Sequence, residues 1–156
     1  MQSNQSVSRS KMRIADNSSD MRGNLAIRVM KNGRVVDCWE DHNLIVNSGR
    51  NRMAELLNGS STSYVSHIGV GSGTATEDVD DSSLTNQVLV PVSGTSITAR
   101  TAHFDFRIGT STANGISIRE FGLFCGDGEM FSRRVRTGVI EKADDIEIEG
   151  YWEIHF

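Results

Sequence analysis

Apolar and polar residues alternate over most of the chain beyond residue 64, and this period of two constrains the fold more than any other feature. Successive side chains of a β-strand point to opposite faces of a sheet, so the alternation is typical of strands with one buried face. We therefore expect a mainly β fold, an antiparallel β-sandwich or mixed sheet that carries one short α-helix. The alternating runs are residues 65–70, 88–92, 97–101, 104–108, 116–124 and 146–156.

Turn residues separate several of these runs. Asn32-Gly33 lies between two β-rich stretches, residues 25–30 and 34–39. It predicts a hairpin, because both residues tolerate positive φ. Gly126-Asp127-Gly128 predicts a second turn, directly before another apolar pair.

Residues 47–59 predict the one convincing helix of the chain. Asn47 or Ser48 can cap its start, and Asn58-Gly59 can close its end. The apolar residues that share one face of this helix are Met53, Leu56 and Leu57.

The chain has 156 residues, which is enough for one domain with its own core. Residues 1–23 contain too few apolar residues to offset the entropy of ordering, so we expect a flexible, polar and mildly basic arm. Residues 24–156 are expected to form a single β-rich domain. A second interpretation is that the arm orders against a neighbouring subunit. Its candidate interaction residues are Arg9, Lys11 and Arg13.

Composition argues against several classes of protein. The net charge is −4, so we expect no specific nucleic-acid partner. The chain has no run of about 18 apolar residues and no apolar centre near its start, so we expect neither a membrane span nor an export signal. Cys38 and Cys125 are too few for a disulfide scaffold and are expected to be free thiols in a reducing compartment.

Two segments in the middle of the chain resemble ion-binding sequences. The glycine stretch at residues 69–73 lacks the lysine of a P-loop and precedes acidic residues, so we interpret it as a strand-ending turn. The acidic segment at residues 77–81 lacks the spacing of a calcium loop, so we expect a solvated loop and leave cation binding there open. Among the histidines, only His67 and His103 are kept as a pair that could meet in space. We expect no cofactor.

The sequence predicts a binding role and not catalysis. No serine lies in a Gly-x-Ser-x-Gly turn, and neither cysteine has the surroundings of a known nucleophile. The one local positive patch is Arg133, Arg134 and Arg136, which could contact acidic groups on a neighbouring protein.

Residues 116–130 read ISIREFGLFCGDGEM. They resemble the segment I-R-E-x-G-L-F-x-x-x-G of the amino-terminal attachment domain of tail-fibre proteins from contractile-tailed bacteriophages, and of similar small tail proteins. Residues 47–57 are similar to the family's N-x-G helix, and residues 67–73 to its I-x-x-G-x-G strand. The resemblance covers roughly residues 43–131 and implies a scaffold in which Arg119 and Glu120 pair within or between subunits.

This resemblance implies a structural virion protein of a tailed bacteriophage, made in the bacterial host cytoplasm. We expect an attachment or adaptor subunit of the tail, baseplate or fibre, because no shaft pattern follows the similar region. Its partners would be copies of itself and other virion proteins. One alternative is a head decoration or head-to-tail (neck) protein, and another is a carbohydrate-binding module. The aromatic candidates for such a module are Tyr64, Tyr151, Trp39 and Trp152, the last of which we expect in the core.

Overall fold

A computed structural model of the protein describes residues 20–156 as nine strands and one helix, which confirms the mainly β prediction. The strands form one antiparallel sheet in the order β4-β3-β7-β8-β2-β1-β9-β6-β5. The elements are β1 (Arg22–Lys31), β2 (Arg34–Ile45), α1 (Asn47–Asn58), β3 (Val65–Gly71), β4 (Val88–Pro91), β5 (Gly94–Thr98), β6 (Thr101–Ile108), β7 (Ser117–Cys125), β8 (Met130–Glu141) and β9 (Ile146–His155).

The sheet curls until its two ends approach each other, with β4 in contact with β6. The chain after β4 joins them, because the Ser93 N–H donates to the Asp105 carbonyl over 2.8 Å. Alternate side chains of each strand point into the curl and form the core. The largest of these fully buried side chains include Trp152, Phe106, Phe121 and Phe131, whereas Phe124 packs with Leu84 in a second, smaller cluster.

The predicted first hairpin is confirmed, with Asn32 and Gly33 both at positive φ between β1 and β2. β1 begins at Arg22, so the predicted boundary of the arm at residue 23 falls inside the sheet. Arg22 is ordered there because it pairs with His155 of β9. Residues 9, 11 and 13, the basic candidates of the arm, lie outside the described residues.

The predicted helix is confirmed, and it ends at Gly59 in a left-handed conformation. Neither Asn47 nor Ser48 caps it: Ser48 Oγ donates to the Met130 carbonyl over 2.6 Å and so attaches the helix to β8. The predicted apolar face is wrong for Leu57, which is 90% exposed. Gly49 instead brings the helix against the sheet, since a Cβ there would lie 2.2 Å from the Phe131 carbonyl oxygen.

One predicted strand, the run at residues 97–101, is two strands in the structure. The chain turns at Ala99, which has a positive φ of 53°, and Thr98 pairs with Thr101. β5 therefore folds back on β6 as a short hairpin at one end of the sheet order. Among residues 20–156, no helix is both long and apolar enough to cross a membrane.

Candidate interaction surfaces

A buried cluster around Glu120 and Arg133, which we call the clamp, connects β7, β8 and the loop at residues 72–87. The Glu120 side chain is 1% exposed and that of Arg133 is 5% exposed. Arg133 donates from Nε and Nη2 to Glu120 Oε2 over 2.9 and 2.7 Å. Glu120 Oε1 accepts from the N–H groups of Gly73 and Thr85 over 2.8 and 2.7 Å. Both carboxylate oxygens are therefore fully engaged, as a buried charge requires.

The glycine stretch makes room for this carboxylate. A Cβ on Gly73 would lie 2.5 Å from Glu120 Oε1, and one on Gly71 would lie 2.6 Å from the same atom. β3 ends at Gly71, so the interpretation as a strand-ending turn is confirmed. The anion that these backbone N–H groups bind is a side chain of the same protein.

The acidic segment is folded onto the body, so the predicted solvated loop is wrong for two of its residues. Asp81 accepts from Arg133 Nη1 over 2.8 Å, and Glu77 lies 3.4 Å from Arg134 Nη1. Glu77 also accepts a hydrogen bond from the Val135 N–H. Within residues 20–156, no group of three His, Cys, Asp or Glu side chains is arranged to hold a metal ion.

The structure does not present the three arginines as a free positive patch. Arg133 is buried, Arg134 pairs with Asp41, and Arg136 pairs with Asp37. The Arg136 guanidinium also lies over the Trp39 ring, 5.6 Å from its centroid. Carboxylates of the same chain thus neutralise the patch, and Arg133 cannot reach the acidic partner surface expected for it.

Arg119 and Glu120 do not pair as the resemblance implied. They are neighbours on β7, where consecutive side chains point to opposite faces. Glu120 lies on the face of the sheet that the loop at residues 72–87 covers, where it meets Arg133, whereas Arg119 is half-buried. Glu120 is thus an internal structural residue.

Arg52 is a buried charged residue that the sequence analysis missed. Its side chain is 5% exposed on α1 and pairs with Asp127 and Glu129 at the β7–β8 turn. It also donates to Ser61 Oγ over 2.6 Å. The hydrogen bond from Arg52 lowers the pKa of Asp127. Gly49 lies three positions earlier on the same helix face, so its small size was the signal that could have placed Arg52 against the body.

His103 lies on the outer face of the sheet between two carboxylates. Its Nδ1 is 3.0 Å from Glu153 Oε1, and its Nε2 is 2.9 Å from Asp105 Oδ1. The hydrogen bond with Glu153 is the main reason that the pKa of His103 is raised above its usual value. The two histidines do not bond to each other: both His103 ring nitrogens bond to carboxylates, and His67 Nδ1 bonds to Ser66 Oγ over 2.8 Å.

The curled sheet leaves an apolar groove of about 460 Å³ at one end, which we call the mouth. It lies between α1 and the start of β3 on one side and the β5–β6 hairpin on the other. Ile97 is 80% exposed and Tyr64 is 68% exposed. Contiguous exposed apolar surface of this kind is typical of protein interaction sites. The residues that line the mouth include Met53, Leu56, Tyr64, Ile97, Phe104 and Phe156.

A second depression, of about 480 Å³, lies on β1, β9 and β6 and has a mixed apolar and charged lining. Tyr151 lies at its edge, beside the charged side chains of Arg28, Asp105 and Glu149. Trp152, the next residue, is fully buried, as predicted.

Comparison with known proteins provides no further assignment. No family model matches the chain, and no similar curated protein or solved structure was found.

Proposed function

We propose that this protein is a structural virion protein of a tailed bacteriophage, an attachment or adaptor subunit of the tail, baseplate or fibre. Its partners are other virion proteins and further copies of the chain. The resemblance of residues 43–131 supplies the virion context. The mouth is the observation that carries a docking role.

The distribution of polar and apolar groups supports a docking role. The clamp buries its charges between the sheet and the loop at residues 72–87, where Glu120 binds Arg133 and two backbone N–H groups. The mouth, in contrast, exposes the apolar side chains of Ile97 and Tyr64 at the surface. A folded body with an exposed apolar groove suits a subunit that binds another protein.

Light scattering tests this proposal. The purified chain is measured alone and then mixed with purified tail, baseplate or head components. We expect a complex with a tail or baseplate component, and we expect Ile97→Asp to weaken it at least tenfold. Val36→Asp is the matched control, because Val36 is 58% exposed on β2, outside the mouth.

The components that bind distinguish the two virion locations. Binding to head or neck components alone would favour the head decoration or head-to-tail alternative. Binding to none of the virion components would contradict the proposal.

A carbohydrate-binding role is the second candidate, and the depression beside Tyr151 favours it. A tyrosine ring with neighbouring charged groups is suited to sugar rings and their hydroxyl groups. A glycan array probed with the wild-type chain and with Tyr151→Ala would test it. We expect a Tyr151-dependent signal only if this second candidate is correct.

A further inference from the structure

The mouth lies at the end of the body where the chain enters it. Arg22 pairs with His155, so Met21 reaches the level of Phe156, which lines the mouth. Met21 is partly buried and packs against the core. The polypeptide that precedes residue 20 therefore joins the body beside this apolar groove.

Nineteen residues precede the described part, and their sequence contains apolar side chains of a suitable size. Met12 and Ile14 are two positions apart, so an extended chain places both on one face. Lys11 and Arg13 then lie on the opposite face. A segment of this pattern can bury two apolar side chains in a groove while its charges stay in solvent.

The chain between Ile14 and Met21 is long enough for Ile14 to reach the mouth. Ile14 lies seven positions before Met21, and an extended chain of this length spans about 23 Å. A tethered segment also acts at an effective concentration in the millimolar range when its linker can reach the site. The chain's own segment therefore has an advantage over the same segment of a second copy.

The segment and the rest of the chain have net charges of opposite sign. The segment before residue 20 carries Arg9, Lys11 and Arg13 against the single carboxylate of Asp16. The rest of the chain is consequently more acidic than the total of −4 indicates.

We propose that the mouth binds residues 7–14 of the same chain, with Met12 and Ile14 in contact with the apolar lining around Ile97 and Phe156. This inference rests on the docking surface of the proposed function and names one occupant for it. The isolated subunit would then cover its own docking groove until a virion partner displaces the segment.

The test uses the full chain and the apolar dye 8-anilinonaphthalene-1-sulfonate. The double variant Met12→Asp with Ile14→Asp should release the segment and raise dye fluorescence at least threefold over wild type. Gln2→Asp with Asn4→Asp is the matched control, since it changes the net charge equally outside the segment. Adding Ile97→Asp to the double variant should abolish the increase, which would locate the dye at the mouth.

Equal dye binding by wild type and the double variant would overturn the inference. A wild-type dimer that becomes a monomer in the double variant would also overturn it, because a second copy would then supply the segment. The proposed function is tested separately, through binding of virion components to the double variant. Retained binding without any dye change would remove the inference and leave the proposed function intact.

Discussion

The clamp and the mouth belong to the same curled sheet and differ in which kind of group is buried. At the clamp, charged groups are removed from water and each finds a partner, so that Glu120 accepts from Arg133, Gly73 and Thr85. At the mouth, apolar groups remain in water, and Ile97 is 80% exposed.

This difference separates structural residues from candidate functional ones. A buried charge with every bond satisfied fixes the loop that it touches, and a partner protein cannot reach it. Exposed apolar side chains contribute little to folding and are available for binding. The residue types alone suggested that the charged residues would bind a partner, since arginines and carboxylates are the usual candidates for contacts between proteins.

Glu120→Ala should be the most damaging substitution. It leaves the Arg133 charge buried without its main partner, and we expect a loss of about 3–5 kcal/mol in the free energy of unfolding. Urea denaturation of the variant and wild type measures this loss. Glu141→Ala, an exposed change at the end of β8, is the control and should stay within about 0.5 kcal/mol.

The double variant Glu120→Leu with Arg133→Met examines the cause. Replacing both charges with apolar groups of similar size removes the unpaired charge, so the double variant should be more stable than Glu120→Ala. A double variant as unstable as the single one would show that lost packing, and not the unpaired charge, dominates at the clamp.

Gly73→Ala should have the next largest effect. The added Cβ would lie 2.5 Å from Glu120 Oε1, so the carboxylate or the loop has to move. We expect a loss of about 1–3 kcal/mol, typical of overpacking. Gly109→Ala is the control, because no atom lies within 4 Å of a Cβ placed there. Equal effects in the two variants would mean that Gly73 is not required by the clamp.

The sequence predicted the helix and most of the strands, but fewer of the tertiary contacts between them. The hairpin at Asn32-Gly33 and the helix at residues 47–58 depend on local chemistry, which the sequence displays directly. Glu120 and Arg133 are diagonal neighbours on two strands, since Glu120 lies opposite Val135 and Arg133 opposite Gly122, and alternation alone does not reveal this register. Both the glycine stretch and the I-R-E-x-G-L-F segment were singled out separately, and only the fold shows that they meet.

The exposure of apolar residues at the mouth was even harder to predict from the sequence. Ile97 alternates like a core residue, but β5 is the last strand in the sheet order and Ile97 is 80% exposed at the mouth. Alternation reports which face a side chain occupies, whereas burial depends on what covers that face. The exposure of Ile97 and Leu57 therefore depends on tertiary packing alone.

His103 provides a smaller, pH-dependent effect near the mouth. Its pKa is raised in the folded state, so its contribution to stability is complete below about pH 6.5, the usual pKa of the free side chain. The contribution is lost as the pH rises through the higher pKa of the folded state. Unfolding measured across this range should show a decline in wild type that is absent in His103→Gln.

Two neighbouring substitutions identify the cause of this shift. NMR titration of the His103 ring should show a larger fall in its pKa for Glu153→Gln than for Asp105→Asn, because the hydrogen bond with Glu153 is its main cause. The reverse order would place the dominant interaction at Asp105.

Ile97→Asp should have the smallest effect on folding and is the sharpest test of the contrast with the clamp. The Ile97 side chain is mostly exposed to solvent in the described residues, so the substitution removes little buried apolar area and the new carboxylate is hydrated. We expect the free energy of unfolding to change by no more than about 0.5 kcal/mol, while binding of a virion component weakens at least tenfold. Urea denaturation and light scattering on the same preparation separate the two effects. If the variant unfolds as easily as Glu120→Ala, Ile97 belongs to the core, and the mouth is not a binding surface.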